Sequence, residues 1–155
     1  MIVRPAVAAD CSALLPMVRA LCDLHRAWDP ARYAFLPDIV ERYERWLPER
    51  AADPRSVLLI ASDSAPIGFI VGTVEREIPI YEVREFGFIH DTWVEPSHRG
   101  RGIGGLLTRT ALEAFRAMGV AQVRLDTARA NGDARRLFSA CGFRESCVQM
   151  LAELA

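Results

Sequence analysis

The stretch VEPSHRGRGIGGLL, residues 94–107, places four glycines and two arginines between an apolar segment and an apolar helical pattern. Glycine permits positive φ angles and close approaches to the backbone that side chains prevent. A helix that starts directly after such glycines leaves its first backbone N–H groups without partners, and its dipole favours negative charge there. The stretch therefore predicts a strand, an anion-binding loop and a helix in that order.

Hydrophobic periodicity extends this prediction to a chain of 155 residues, which suits a single domain over 1–155. Hairpin strands come first and crossover units follow, which is typical of a mixed α/β sheet. Glycines in the third predicted strand indicate a bulge or close packing. Helices are expected over 9–28, 37–50, 103–118 and 131–141, and strands over 2–4, 56–61, 67–74, 86–94, 120–127 and 143 to about 151.

Composition excludes several classes of function. The net charge of −1 does not suggest bulk binding to nucleic acid. No segment is long and apolar enough to span a bilayer, and the N-terminus lacks the apolar core of a signal peptide, so we expect a cytoplasmic protein without membrane contacts. The four cysteines show no metal-binding spacing, which predicts buried free thiols and no metal site.

All 19 basic side chains are arginines. The absence of lysine excludes a Walker-type phosphate loop and Schiff-base chemistry. Residues 1–97 hold 15 acids and 10 arginines, whereas residues 98–155 hold 9 arginines and 5 acids. This asymmetry either arises by chance or indicates an anionic ligand beside the glycine loop and a cationic one beside the first part of the chain.

A dinucleotide site is one interpretation of the loop. Residues 100–105 satisfy GxGxxG, and Asp126 follows Gly105 by 21 residues. Three observations count against it. Residues 95–98 separate the glycines from the end of the strand, and the 50 residues after the motif are too few for the further βαβ units of a dinucleotide-binding fold. The arginines at 99 and 101 also crowd the place where glycines should approach a pyrophosphate closely.

Two motifs together fit a different family better. Arg99-Gly-Arg-Gly102-Ile-Gly104, preceded by Val94 and Pro96, resembles the acetyl-CoA-binding signature of the GNAT superfamily of N-acyltransferases. Residues 131–143, NGDARRLFSACGF, are similar to a second signature of that family. The predicted element order also matches the family fold, a mostly antiparallel mixed sheet with splayed central strands and about four helices.

The resemblance implies that acetyl-CoA is the acyl donor and assigns residues to its binding. Main-chain groups of Thr92, Trp93 and Val94 would pair with the pantetheine arm, and one N–H there would face the thioester oxygen. On the second signature, Asn131 and Phe138 would flank the pantetheine and Arg135 would reach phosphate; Asn131 also suits a helix N-cap. The diphosphate would contact Arg99, Gly100, Arg101, Gly102, Ile103, Gly104 and Gly105.

In this family an amine attacks the thioester directly, so a general base must remove a proton from the amine. His90 and Asp91 are the candidates, and strand alternation predicts that only one of them faces a given side. His90 occupies a position where several family members place a catalytic carboxylate, and its ordinary pKa near 6.5 suits a base. Either His90 is the base or it is a structural, hydrogen-bonded histidine.

The second signature departs from the family at Phe138, where many members carry a tyrosine that protonates the departing thiolate. Phenylalanine cannot donate a proton, so either another group, such as Tyr81, serves as the acid, or sulfur leaves as a thiolate. Residues in the usual acceptor region include aromatic and acidic side chains that suit a cationic amine. These are Tyr33, Trp46, Glu75, Glu77, Tyr81 and Glu85.

The sequence therefore predicts an N-acetyltransferase that moves acetyl from acetyl-CoA to a primary amine on a small molecule or a protein. A CoA-binding module without turnover and a small dinucleotide-binding protein are the alternatives. By resemblance, a homodimer is possible, and neither nucleic acid nor a membrane is expected as a partner.

Overall fold

The computed structural model describes residues 1–154 and contains one five-stranded sheet with the strand order β1-β2-β3-β4-β5. Neighbouring strands are antiparallel except for β4 and β5, which are parallel. The strands are β1 (Ile2–Pro5), β2 (Ser56–Asp63), β3 (Ala65–Arg76), β4 (Glu85–Val94) and β5 (Val123–Leu125).

Helices cover both faces of this sheet because each buries an apolar stripe. A cluster under the first two helices includes Leu14, Leu47 and Phe69, and a second cluster under the third helix includes Leu107 and Phe115. The helices are α1 (Cys11–Trp28), α2 (Ile39–Ala52), α3 (Ile103–Ala117) and α4 (Gly132–Ala140). Within residues 1–154, no helix combines the length and the apolar character needed to cross a membrane.

The predicted mixed α/β architecture is confirmed, and every helix begins and ends within two residues of its expected bounds. The dinucleotide interpretation of the glycine loop is wrong, because a doubly wound fold requires a mostly parallel sheet and only β4 and β5 are parallel here.

The predicted strand over 143–151 is wrong: these residues form no strand, and Val148 and Met150 are 83% and 90% exposed. The strand expected over 120–127 shrinks to the three residues of β5. Alternating apolar residues become a strand only where a neighbour supplies ladder hydrogen bonds, which this segment does not find. The same segment exposes Cys147, and Cys141 is half-buried, so the prediction of burial is correct only for Cys11 and Cys22.

A bulge in β4 shapes the side of the sheet that faces α2. Val71 pairs with Asp91 and Gly72 pairs with Ile89, so His90 is an extra residue without an opposite partner. Gly72 is required at this place, because a Cβ atom there would lie 2.7 Å from the carbonyl oxygen of Phe88. The expected bulge and close packing at the glycines of β3 are both confirmed.

Candidate functional site

A gap opens between β4 and β5 directly after the bulge. The two strands pair only from Gly87 with Val123 to Ile89 with Leu125. From residue 90 to residue 94, the edge of β4 that faces β5 therefore has no strand partner. An extended ligand can enter such a gap and bind unpaired main-chain groups as an added strand would.

The glycine loop lies at the end of β4 and presents unpaired backbone donors. Gly100 and Gly102 have φ angles of 75° and 79°, left-handed conformations that favour glycine, and α3 begins immediately afterwards. The first amide with a helical partner is that of Leu106, which donates to the Gly102 oxygen at 3.0 Å. Within the part of the chain that the structure describes, no acceptor meets the N–H groups of residues 100–105. This arrangement suits a phosphate group.

The two arginines of the loop have different environments. Arg99 donates from Nε to the Val94 oxygen at 2.9 Å, and its guanidinium lies 4.6 Å from the centre of the Trp93 ring. Arg101 is exposed and makes no hydrogen bond or ion pair with any described residue. Arg99 therefore braces the end of β4, while Arg101 is the side chain that remains available to an anion.

The second sequence motif packs beside the start of α3. A Cβ atom on Gly104 would lie 3.0 Å from Leu137 Cδ2, so this glycine allows α4 to approach α3 closely. Asn131 caps α4, because its Oδ1 accepts from the Ala134 amide at 3.1 Å. The remaining residues of the motif are partly engaged: Phe138 is 7% exposed and packs edge-on against Phe143, and Arg135 lies 3.6 Å from Glu145. Contact of Asn131, Arg135 and Phe138 with a ligand stays a prediction.

His90 is held by a network on β3. Its Nε2 atom lies 2.7 Å from Thr73 Oγ1, and Thr73 Oγ1 donates to Glu75 Oε1 at 2.5 Å. The single hydroxyl proton of Thr73 goes to the carboxylate, so Nε2 of His90 must carry the proton that it shares with Thr73. In neutral His90, this leaves Nδ1 as the basic atom. Burial lowers the pKa of His90, which favours the neutral ring.

Asp91 points to the same side of the sheet as His90. The Tyr43 hydroxyl on α2 donates to Asp91 Oδ2 at 2.7 Å, and the ring of His90 lies 5.4 Å from that of Trp46 on the same helix. The prediction that only one of the two faces a given side is wrong, because the bulge interrupts the alternation of β4. Burial raises the pKa of Asp91.

A cleft of about 430 Å³ lies between α2 and the bulge. Most residues that line this cleft were not predicted from the sequence, because they belong to no motif. The one pattern that could have found them is the spacing of positions 42, 45, 46 and 49, which share a helix face. The cleft is lined by Arg42, Tyr43, Arg45, Trp46, Glu49 and His90.

Only some of the residues predicted to contact the acceptor lie at this cleft. Trp46 lines it, and Glu75 lies 3.7 Å from His90 Nε2. Glu77 and Glu85 instead pair with arginines on other strands and loops. Tyr33 stacks edge-on against His25. Tyr81 lies between β3 and β4, is 53% exposed, and its hydroxyl has no hydrogen-bond partner among residues 1–154.

Comparison with known proteins agrees with this geometry. The model of the acetyltransferase (GNAT) family matches residues 18–143. An uncharacterized N-acetyltransferase from Archaeoglobus fulgidus is 30% identical over 136 residues, which cover 88% of this chain and 90% of that protein.

Solved structures share the fold over the full length. A tetramutant of the BH1408 protein from Bacillus halodurans superposes with a TM-score of 0.85 at 21% identity, covering 99% of this chain and 100% of the other. The aminoglycoside 6'-N-acetyltransferase of Acinetobacter haemolyticus gives a TM-score of 0.69 at 20% identity, with 100% of both chains covered. With the family match and the archaeal relative, they show that this chain belongs to the acetyltransferase (GNAT) family and is an acyltransferase.

Proposed function

We propose that this protein transfers an acetyl group from acetyl-CoA to a primary amine by direct attack of the amine on the thioester. One observation carries the proposal: the gap beside β4 connects the unpaired amides at the start of α3 with the bulge that presents His90. A donor anchored at the loop and extended along β4 places its thioester at the bulge, next to the cleft under α2.

The donor end relies on backbone groups. The N–H groups of residues 100–105 bind the diphosphate, and charge-assisted bonds of this kind contribute roughly 1.5–3 kcal/mol each. Arg101 meets the remaining phosphate charge. The open edge of β4 at Thr92, Trp93 and Val94 binds the pantetheine arm, and an N–H at the bulge faces the thioester oxygen as negative charge develops on it.

His90 acts as the general base in this proposal. Its Nδ1 takes a proton from the amine, directly or through a water, while Nε2–H stays on Thr73. The resulting imidazolium is stabilised by Glu75. The amine nitrogen then forms a C–N bond as the C–S bond breaks. Asp91 stays bonded to Tyr43 and holds α2 against the bulge.

The sulfur has two possible fates. A thiol with a pKa of about 8.5 is a tolerable leaving group as a thiolate near neutral pH. Alternatively, Tyr81 supplies a proton from the segment between β3 and β4. Phe138 takes no part in either route as an acid, because its ring has no exchangeable proton.

The experiment combines calorimetry with thiol release. Acetyl-CoA should bind the wild-type protein with about micromolar Kd. Gly104→Asp should abolish binding, because it adds a negative charge to the first turn of α3 and its Cβ atom would lie 3.0 Å from Leu137 Cδ2, which displaces the start of that helix. Arg116→Gln, a charge change of the same size at the far end of α3, is the control and should bind normally.

Thermal unfolding should show that both variants remain folded. Acetyl-CoA binding without thiol release from any amine in a broad panel would favour a CoA-binding module over an enzyme. Normal binding by Gly104→Asp would contradict the assignment of the loop.

A further inference from the structure

We propose that the amine acceptor also carries an anionic group, a carboxylate or a phosphate, and that Arg45 binds it. This inference rests on the proposed acetyl transfer and specifies its acceptor. It starts from the cleft under α2, in which arginine side chains stand on the wall opposite the His90 network.

One face of α2 forms this wall. Positions 42, 45, 46 and 49 follow the spacing that brings side chains together on a helix surface. Trp46 lies in the middle of this helix face, and its ring is 5.4 Å from the ring of His90. Arg45 is adjacent to Trp46 in the chain and lines the same cleft. A ligand whose amine lies at His90 can therefore extend past the indole toward Arg45.

Some charged side chains on this face of α2 have ion-pair partners and one does not. Arg42 donates to Asp38 at 3.0 Å, one turn earlier on the helix. Glu49 lies 3.6 Å from Arg50, whose guanidinium also stacks on Trp46. Arg45 has no carboxylate within 4.0 Å among residues 1–154. Of the two arginines that line the cleft, it is thus the one without an ion pair.

The opposite wall has the reverse character. Glu75 lies 3.7 Å from His90 Nε2, and 45% of its side chain is exposed. An ammonium group is favoured beside this carboxylate, and an anion is favoured beside Arg45. The cleft therefore matches a ligand with opposite charges at its two ends, whereas a polyamine would place a second cation against the arginines.

Pairs of amines that differ only in the anionic group provide the test. Suitable pairs are O-phosphoethanolamine with ethanolamine, and lysine with cadaverine. Thiol release should give a kcat/KM that is about 10- to 100-fold higher for the anionic member of a pair, the range expected when a charged group gains hydrogen bonds to a guanidinium. The pair that gives the larger ratio of kcat/KM values shows whether the site prefers a phosphate or a carboxylate.

Variants connect this preference to Arg45. Arg45→Gln should remove most of the ratio by raising KM for the anionic amine, with kcat/KM nearly unchanged for ethanolamine and no lower for cadaverine, whose second cation the arginine disfavours. Arg45→Glu should invert the ratio for lysine and cadaverine. Arg116→Gln, which removes an exposed arginine at the far end of α3, should leave both values as they are.

Equal kcat/KM values within both pairs, or equal losses for both members in Arg45→Gln, would overturn this inference and leave the proposed acetyl transfer standing. If acetyl-CoA binds and no amine of either kind releases thiol, the transfer itself is refuted, and the inference with it.

Discussion

The two ends of the gap beside β4 are made from different parts of the polypeptide. At the start of α3, backbone N–H groups of residues 100–105 stand without partners. At the bulge, side chains already bond one another: His90 to Thr73, and Asp91 to Tyr43. Backbone N–H groups can bind a phosphate whichever amine reacts, whereas side-chain clusters select among amines. We therefore expect donor affinity to depend on the loop, and rate and selectivity to depend on the cleft.

His90→Gln should distinguish the two ends of the gap most strongly, because it should lower the rate without changing the affinity for acetyl-CoA. Loss of a general base lowers kcat by about 10²-fold at pH near 7. The deficit shrinks as the pH approaches an amine pKa of roughly 10, where the free amine no longer needs a base. In the wild type, kcat should rise with pH through a pKa below 6.5, because burial lowers the pKa of His90.

Rate–pH profiles of both proteins, with acetyl-CoA titrations alongside, measure this effect. The Kd for acetyl-CoA should be the same in both. A weaker Kd together with an unchanged profile would make His90 a structural residue.

Arg101→Gln should show the complementary behaviour. Its guanidinium is exposed, so solvent screening limits the loss of acetyl-CoA affinity to about 3- to 10-fold. The pH profile should not move, because Arg101 is not among the charged groups that shift the pKa of His90. Calorimetry at two salt concentrations is the measurement, with Arg116→Gln as the matched control. A shifted pH profile would show that the two ends are coupled.

Substitutions at Asp91 test whether this residue is structural. Asp91→Ala leaves the Tyr43 hydroxyl without its acceptor and should lower the free energy of unfolding by about 1–3 kcal/mol. Asp91→Asn keeps an acceptor oxygen and should cost less. Because burial raises the pKa of Asp91, the folded protein holds this proton to higher pH than the unfolded chain does.

The contribution of Asp91 to stability should therefore fall as pH rises above 3.8, and Asp91→Asn should lack this dependence. Urea unfolding across that pH range measures the difference. Equal slopes for the two proteins would mean that the Asp91 carboxyl titrates normally.

The smallest effect is expected at Tyr81. The hydroxyl is exposed and has no partner among the described residues, so Tyr81→Phe should change kcat by less than about twofold if sulfur leaves as a thiolate. A tenfold fall in kcat, with an unchanged Kd for acetyl-CoA, would instead identify Tyr81 as the proton donor.

Local patterns predicted the conformation of the glycine loop and the start of α3 well. The glycines and the helical pattern after them lie within one short stretch, and left-handed φ angles at Gly100 and Gly102 are a property of glycine itself. The same holds for the helices, whose apolar periodicity is local. The second motif also placed α4 correctly, with Asn131 as its cap.

The arrangement of side chains around the bulge could not be predicted in the same way. The alternation rule failed at His90 and Asp91 because the bulge depends on how β4 pairs with β3. Arg45 carries no motif, and its significance appears only when the partners of Arg42 and Glu49 are known.

The amino-acid sequence alone thus determined the helices α1 to α4, the strands β1 to β4 and the glycine loop after β4, since these follow from contacts between residues close along the chain. Tertiary structure decided which side chains surround His90, where the gap between β4 and β5 opens, and that residues 143–151 form no strand. Those outcomes depend on pairing between residues far apart in the chain, whose energies no local pattern contains.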